Sequence, residues 1–323
     1  MLTRKKIYVG LILLFAVVVL VSIALQISYR RGTTPPLITK TATNQAAPPE
    51  ETPDKPIAVL SNFGAAAARN AQLMYEIGWA FGGKGQRGWY LYVPLIKREI
   101  GTDREPPDEA FAVALASWQV AEKIKPDGIL DEDTWARMIA VWQSRRLKDH
   151  TPAAPGQLIV SPVADFWDSS RPEELRKVEL QTYAAYKRMM QAAVSDATLN
   201  LAAARDESGN ATGLASSEKF LKIVSAYRSR EYQDRLRRAS PNAGRAGLAV
   251  NSPHFTGHAL DMYVGGDPVS TEDGNRAVQV QTPVYLWLVK NADKYGFRPY
   301  FYEPWHWEYV GEPEPAPTTT ATP

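Results

Sequence analysis

The longest apolar stretch of the chain is the uncharged run at residues 7–28, IYVGLILLFAVVVLVSIALQIS. At about 1.5 Å per helical residue, a run of this length crosses a hydrocarbon core roughly 30 Å thick, so the pattern predicts a transmembrane helix. Arg4, Lys5 and Lys6 precede the run, and only Arg30 and Arg31 follow it closely, which favours a cytoplasmic N-terminus. Ser22-Ile23-Ala24 also fits a small-x-small cleavage site, so a removed signal peptide is the alternative. In either case the bulk of the chain leaves the cytoplasm. Residues 32–57 then lose all periodicity and hold six prolines, which reads as an extended tether. At about 3.1 Å per residue its reach is roughly 80 Å. The tail, residues 312–323, is again Pro- and Thr-rich and is expected to be disordered.

Periodicity returns between these polar segments. In residues 65–147, Phe111, Leu115 and Trp118 recur at helical spacing before a turn at Lys125-Pro126-Asp127-Gly128. A second helix follows, capped by Asp131 or Asp133, with Trp135, Met138 and Ile139 on its apolar face. The run FAVALASWQVAEKIKPDGILDEDTWARM resembles the small three-helix peptidoglycan-binding domain; a generic helical bundle packed on its neighbour is the alternative. Residues 148–170 read as a Pro-rich connection.

In the remaining segment, 171–311, residues 171–195 read as one amphipathic helix and residues 220–227 as a strand. Ser229 can cap a short helix carrying Gln233, while Thr282-Pro283 and Gly296 bracket another. Helices and strands mix without a βαβ rhythm, so the predicted class is α+β. The organisation is therefore an anchor (1–31), a linker (32–64), a helical domain (65–147), a connection (148–170), a mixed domain (171–311) and a tail (312–323).

The basic pI of 8.6 points to nucleic acid only until the charge is apportioned. Residues 1–31 hold five of the 37 Lys and Arg and no acid, leaving 32 basic against 35 acidic residues, a net of −3. No nucleic-acid footprint remains. The chain has no cysteine, which excludes disulfides, thiolate ligands and a thiol nucleophile together.

Of the four histidines, His254, His258 and His306 fall in two unusual segments, SPHFTGHALD (252–261) and EPWH (303–306). Zinc at a hydrolytic site takes three N/O ligands and leaves a position for water, so two His and one carboxylate suffice, with a further carboxylate as base. In a straight strand, residues seven apart or three apart point to opposite faces, so both segments must bend. Gly257 can supply the first bend and Pro304 the second.

The pattern Ser-x-His-x-x-Gly-x-Ala-x-Asp followed by Glu-x-Trp-His resembles the zinc D-Ala-D-Ala carboxypeptidase and dipeptidase family, VanY-like or LAS peptidases. The resemblance implies zinc ligands His254, Asp261 and His306, with Glu303 as catalytic base. Ser225 to Ser229 with Gln233 resembles the family's upstream motif. It implies that Arg228 stabilises the oxyanion or the substrate carboxylate and that Ser252 contacts substrate. Gln233 and Trp305 join the candidate substrate-binding residues, although Gln233 also reads as helix surface, Arg228 as one half of a structural ion pair, and His258 as packing.

The implied activity is removal of C-terminal D-Ala from peptidoglycan stem peptides by metal-activated water. An endopeptidase of the same fold and a non-catalytic wall-binding protein are the alternatives. The expected setting is a bacterial cytoplasmic membrane, with the catalytic domain on the periplasmic or cell-wall side. Since every motif of the chemistry lies downstream, deleting residues 65–147 is expected to spare hydrolysis of a small peptide.

Overall fold

The structure, a computed structural model, describes residues 63–241 and 247–311. The apolar run 7–28, the tether and the tail lie outside the described residues. Among the described residues no helix is long and apolar enough to cross a membrane.

The chain enters through α1 (Gly64–Glu76) and the hairpin β1 (Gly78–Phe81) and β2 (Lys84–Arg87), followed by α2 (Val93–Glu99), α3 (Glu109–Ala121) and α4 (Glu132–Ser144). This region thus has four helices and a hairpin where the resemblance to a small peptidoglycan-binding domain implied three helices. The hairpin turns on Gly82 and Gly83, both at positive φ, as a tight two-residue turn requires. Asp131 is the cap of α4, accepting from the Thr134 amide at 3.0 Å. The predicted turn before it is held by two fully buried amides. Gln119 Oε1 accepts from the Gly128 amide at 2.8 Å, and Asn70 Nδ2 donates to the Gly128 carbonyl at 2.8 Å. Gly128 has φ +70°, and a Cβ there would lie 2.6 Å from the Ala112 carbonyl oxygen.

Residues 148–170 contain β3 (Leu158–Val160), which pairs antiparallel with β4 (Lys177–Glu179). The helix expected over 171–195 is shorter than its apolar pattern: α5 spans Leu180–Ser195. Glu179 starts it, its carboxylate accepting from the Thr182 amide at 2.8 Å, and the residues before it are drawn into strand pairing. A small antiparallel pair, β5 (Ala203–Arg205) and β6 (Ala211–Leu214), packs on α5.

The sheet that carries the site has the order β7-β8-β10-β9 and is antiparallel throughout. Its strands are β7 (Ile223–Ser225), β8 (Ala259–Met262), β9 (Phe297–Pro299) and β10 (His306–Tyr309). The connections include α6 (Arg230–Ala239), α7 (Asp273–Gln279) and α8 (Pro283–Asn291). Ser229 and Thr282 cap α6 and α8 through their hydroxyls, as their positions predicted. Strand β7 is shorter than the expected 220–227; its start is delayed because Leu221 adopts φ +64°, a conformation outside the β region. Small antiparallel sheets among helices make this an α+β architecture.

One continuous apolar core runs from Ile77 to Tyr309. Trp79, Tyr92 and Trp142 each lie with ring centroids 5.5 to 6.3 Å from Phe301. The loop before β10 therefore rests on aromatic side chains of the helical region.

Candidate metal centre

Local chain geometry brings the two histidine segments together. Ser252 caps a single 3₁₀ turn, Pro253–Thr256, by accepting from the His254 amide at 3.3 Å. Gly257 ends that turn at φ +74°, and a Cβ there would lie 2.8 Å from Leu158 and 3.0 Å from the Glu179 amide nitrogen. The chain then enters β8, where Asp261 pairs in register with His306 of β10. A second reversal precedes β10, with the Glu303 amide donating to Tyr300 and the His306 amide to Glu303. Both bends that the spacing demanded are present.

His254, Asp261 and His306 offer ligand atoms that all lie within 4.8 Å of one another, and all three residues are buried. Asp261 Oδ1 is 3.3 Å from His254 Nε2 and 2.9 Å from His306 Nδ1. The far nitrogen of each ring has its own acceptor: His254 Nδ1 lies 2.6 Å from the Ala226 carbonyl oxygen, and His306 Nε2 lies 3.2 Å from Glu308 Oε1. A proton held at each far nitrogen leaves the near nitrogen a lone pair, the form in which imidazole binds a metal. Two imidazoles and a carboxylate in one buried cluster suit a zinc-like cation.

Burial and neighbouring charges set the ionisation of the cluster. Burial, reinforced by the Arg228 charge, lowers His254 to about 4 and so keeps it neutral. Burial alone would raise Asp261, but its close contact with His254, the Arg228 charge and the hydrogen bond from His306 hold it well below the usual carboxylate range. Burial would lower His306, yet its hydrogen bonds to Asp261 and Glu308 raise it to about 9.

Glu303 stands beside the cluster, with Oε2 3.9 Å from His306 Nδ1. Burial raises its carboxyl to about 8, with the His306 charge opposing. Arg228 is tied on three sides: Nε donates to Ser225 Oγ at 2.9 Å, Nη1 to Gln233 Oε1 at 3.3 Å, and Nη2 to Asp261 Oδ2. Gln233 is buried, and its amide also donates to the Ala249 carbonyl at 3.0 Å, so it is not a helix-surface residue. It supports Arg228 from behind and does not line the cleft.

A cleft of about 330 Å³ opens onto the cluster, and its lining includes Arg228, Ser252, Trp305 and Glu303 together with Arg146 and Tyr300. His258 lies elsewhere, with Nδ1 2.8 Å from Thr182 Oγ1 and its ring against Tyr309.

Two charged residues escaped the sequence reading. Glu308 is fully buried behind His306, and Arg146 reaches it from just beyond α4. An acid two residues after His306 shares its face of a strand, so Glu308 was legible in principle. Arg146, 162 residues away in sequence, carried no signal.

Residues 176–312 match the family model VanY, described as D-alanyl-D-alanine carboxypeptidase. A similar solved structure is that of LdcB, an LD-carboxypeptidase, described as revealing the molecular basis of peptidoglycan recognition. The two chains are 24% identical, the match covers 51% of this chain and 72% of that one, and the TM-score is 0.36. No curated protein matches the chain. The VanY-like segment contains His254, Asp261, His306, Glu303 and Arg228, whereas Arg146 lies upstream of it.

Proposed function

We propose that the VanY-like segment, residues 176–312, is a zinc-dependent peptidase that removes C-terminal D-Ala from peptidoglycan stem peptides. The observation that carries this reading is the buried His254–Asp261–His306 cluster with the Glu303 carboxyl beside it. When bound there, zinc supplies Lewis-acid activation of water and of the scissile carbonyl. Glu303 takes the proton of the attacking water as its oxygen bonds to the carbonyl carbon. The same carboxyl, buried beside the cluster, then returns that proton to the departing amine as the C–N bond breaks. Arg228, at the cleft wall, offsets charge developing on the carbonyl oxygen. Ser252 and Trp305 border the space that the stem peptide fills.

A second reading, an endopeptidase cutting within the stem or cross-link, draws on the three fixed partners of Arg228. These leave its guanidinium few N–H groups for a substrate carboxylate. Mass spectrometry of products from defined muropeptides, with and without chelator, tests both readings: the first requires loss of terminal D-Ala, the second an internal cut.

The apolar run at residues 7–28 and the Pro-rich segment after it support a membrane tether, with the peptidase on the wall side of a bacterial membrane. Resemblance of the helical region to a peptidoglycan-binding domain supports a role in holding the polymer. Membrane fractionation of the full chain and sedimentation with insoluble peptidoglycan test these two assignments.

A further inference from the structure

Glu308 is an anomaly in its strand. The residues of β10 are buried, and a carboxylate there is costly unless every oxygen is satisfied. In this chain it is satisfied from outside the VanY-like segment. Arg146 donates to Glu308 Oε1 through Nε at 3.1 Å and again through Nη2, and the Leu147 amide donates to Oε2 at 3.0 Å. On its other side Glu308 Oε1 accepts from His306 Nε2 at 3.2 Å. Arg146 is itself fixed, with Nη1 bonded to Gln143 Oε1 of α4 at 3.1 Å and its guanidinium 4.0 Å over the Tyr300 ring. That ring stands edge-on to His306 at 5.7 Å, and the Tyr300 amide donates to the His306 carbonyl at 3.0 Å. Arg146 therefore braces His306 along two paths, through Glu308 and through Tyr300.

We propose that Arg146 and Glu308 are positioning residues that orient His306 for metal binding, so that the helical region completes the metal centre as well as packing against it. This inference rests on the zinc-peptidase reading above. A carboxylate bonded to the far nitrogen of a ligating imidazole fixes its tautomer and ring orientation and raises its basicity. The near nitrogen of His306, Nδ1, faces Asp261 as a direct result. An ion pair that merely joined two parts of the chain would need no bond to the imidazole, and would leave metal binding unchanged when neutralised.

The test uses the full chain with zinc as the probe, and compares wild type with Glu308→Gln, Arg146→Lys, and the double variant Arg146→Met/Glu308→Gln. The double variant leaves no unpaired buried charge, so it separates positioning from folding. Zinc affinity is read by competition with a chromophoric chelator, and ligand geometry by the visible spectrum of the cobalt-substituted protein. Glu308→Gln and the double variant are expected to bind zinc about 10- to 100-fold more weakly, with altered cobalt bands. Arg146→Lys, which keeps the charge but loses the planar fork, should fall between them and wild type. Unchanged zinc affinity and cobalt spectra in folded variants would overturn the positioning role while leaving the peptidase reading intact. A wild type that binds no zinc would overturn both.

Discussion

Arg228 and Asp261 meet through Nη2 and Oδ2, the carboxylate oxygen opposite the one that faces the two histidines. One side chain thus divides its two oxygens between the candidate metal position and the candidate substrate-charge residue. Arg228→Ala should weaken zinc binding as well as turnover, because a buried ligand carboxylate loses its fixed partner. Paired metal titration and kinetics on the variant check this; full zinc affinity with reduced kcat alone would make Arg228 purely a transition-state residue.

The same arrangement sharpens the question of which bond is cut. A carboxypeptidase must pair the terminal carboxylate of its substrate with a fixed donor. A peptide ending in free D-Ala-D-Ala should be cleaved, and its C-terminal amide should lose roughly 10- to 100-fold in kcat/KM. If Arg228 is the donor, Arg228→Ala removes most of that difference. Equal rates for acid and amide on wild type would favour the endopeptidase.

Glu303 gives the most specific single substitution. As it lies outside the three-residue ligand cluster, Glu303→Gln should retain zinc while turnover falls by about two or more orders of magnitude. The metal-free protein should show the opposite effect on stability. The folded carboxyl is raised to about 8 from an ordinary 4.5, so between those values the unfolded chain has lost a proton that the folded one keeps. Folding stability from this group therefore falls as pH rises from 4.5 to 8. Metal-free Glu303→Gln, which cannot ionise, should melt at a higher temperature than metal-free wild type at pH 8, with the gap closing toward pH 4.5. Calorimetry across that range measures it, and a gap independent of pH would contradict the assignment.

Much of this architecture is legible locally. Asp131, Ser229 and Thr282 cap helices where the pattern put caps, because a cap involves only residues a few positions apart. Gly257 and the turn before His306 bend as the ligand spacing required. The start of α5 departs from the pattern because the apolar positions of residues 171–179 look helical, while pairing with β3 draws part of them into a strand. Gly82-Gly83 is the local signal of the hairpin at 78–87. The burial of Gln233 and the reach of Arg146 depend on distant partners, and no local pattern encodes those.

Arg146 also changes the expectation for the helical region. Deleting residues 65–147 removes Arg146 and the Leu147 amide from Glu308, and strips Trp79, Tyr92 and Trp142 from Phe301. The truncated chain should lose hydrolysis of a small soluble peptide as well as retention on insoluble peptidoglycan. Circular dichroism and peptide turnover on the truncation decide the matter. A folded, fully active fragment would restore the picture of an independent wall-binding module.

The proposed function requires that His254, Asp261 and His306 hold a zinc ion used for hydrolysis. Its most direct test is mass spectrometry of a stem pentapeptide ending in D-Ala-D-Ala, incubated with the chain as purified, after chelator treatment, and after zinc is restored. About one zinc per chain, loss of a single terminal D-Ala, disappearance of that product on chelation and its return with zinc are the predicted results. Undiminished release of D-Ala by metal-free protein would contradict the account.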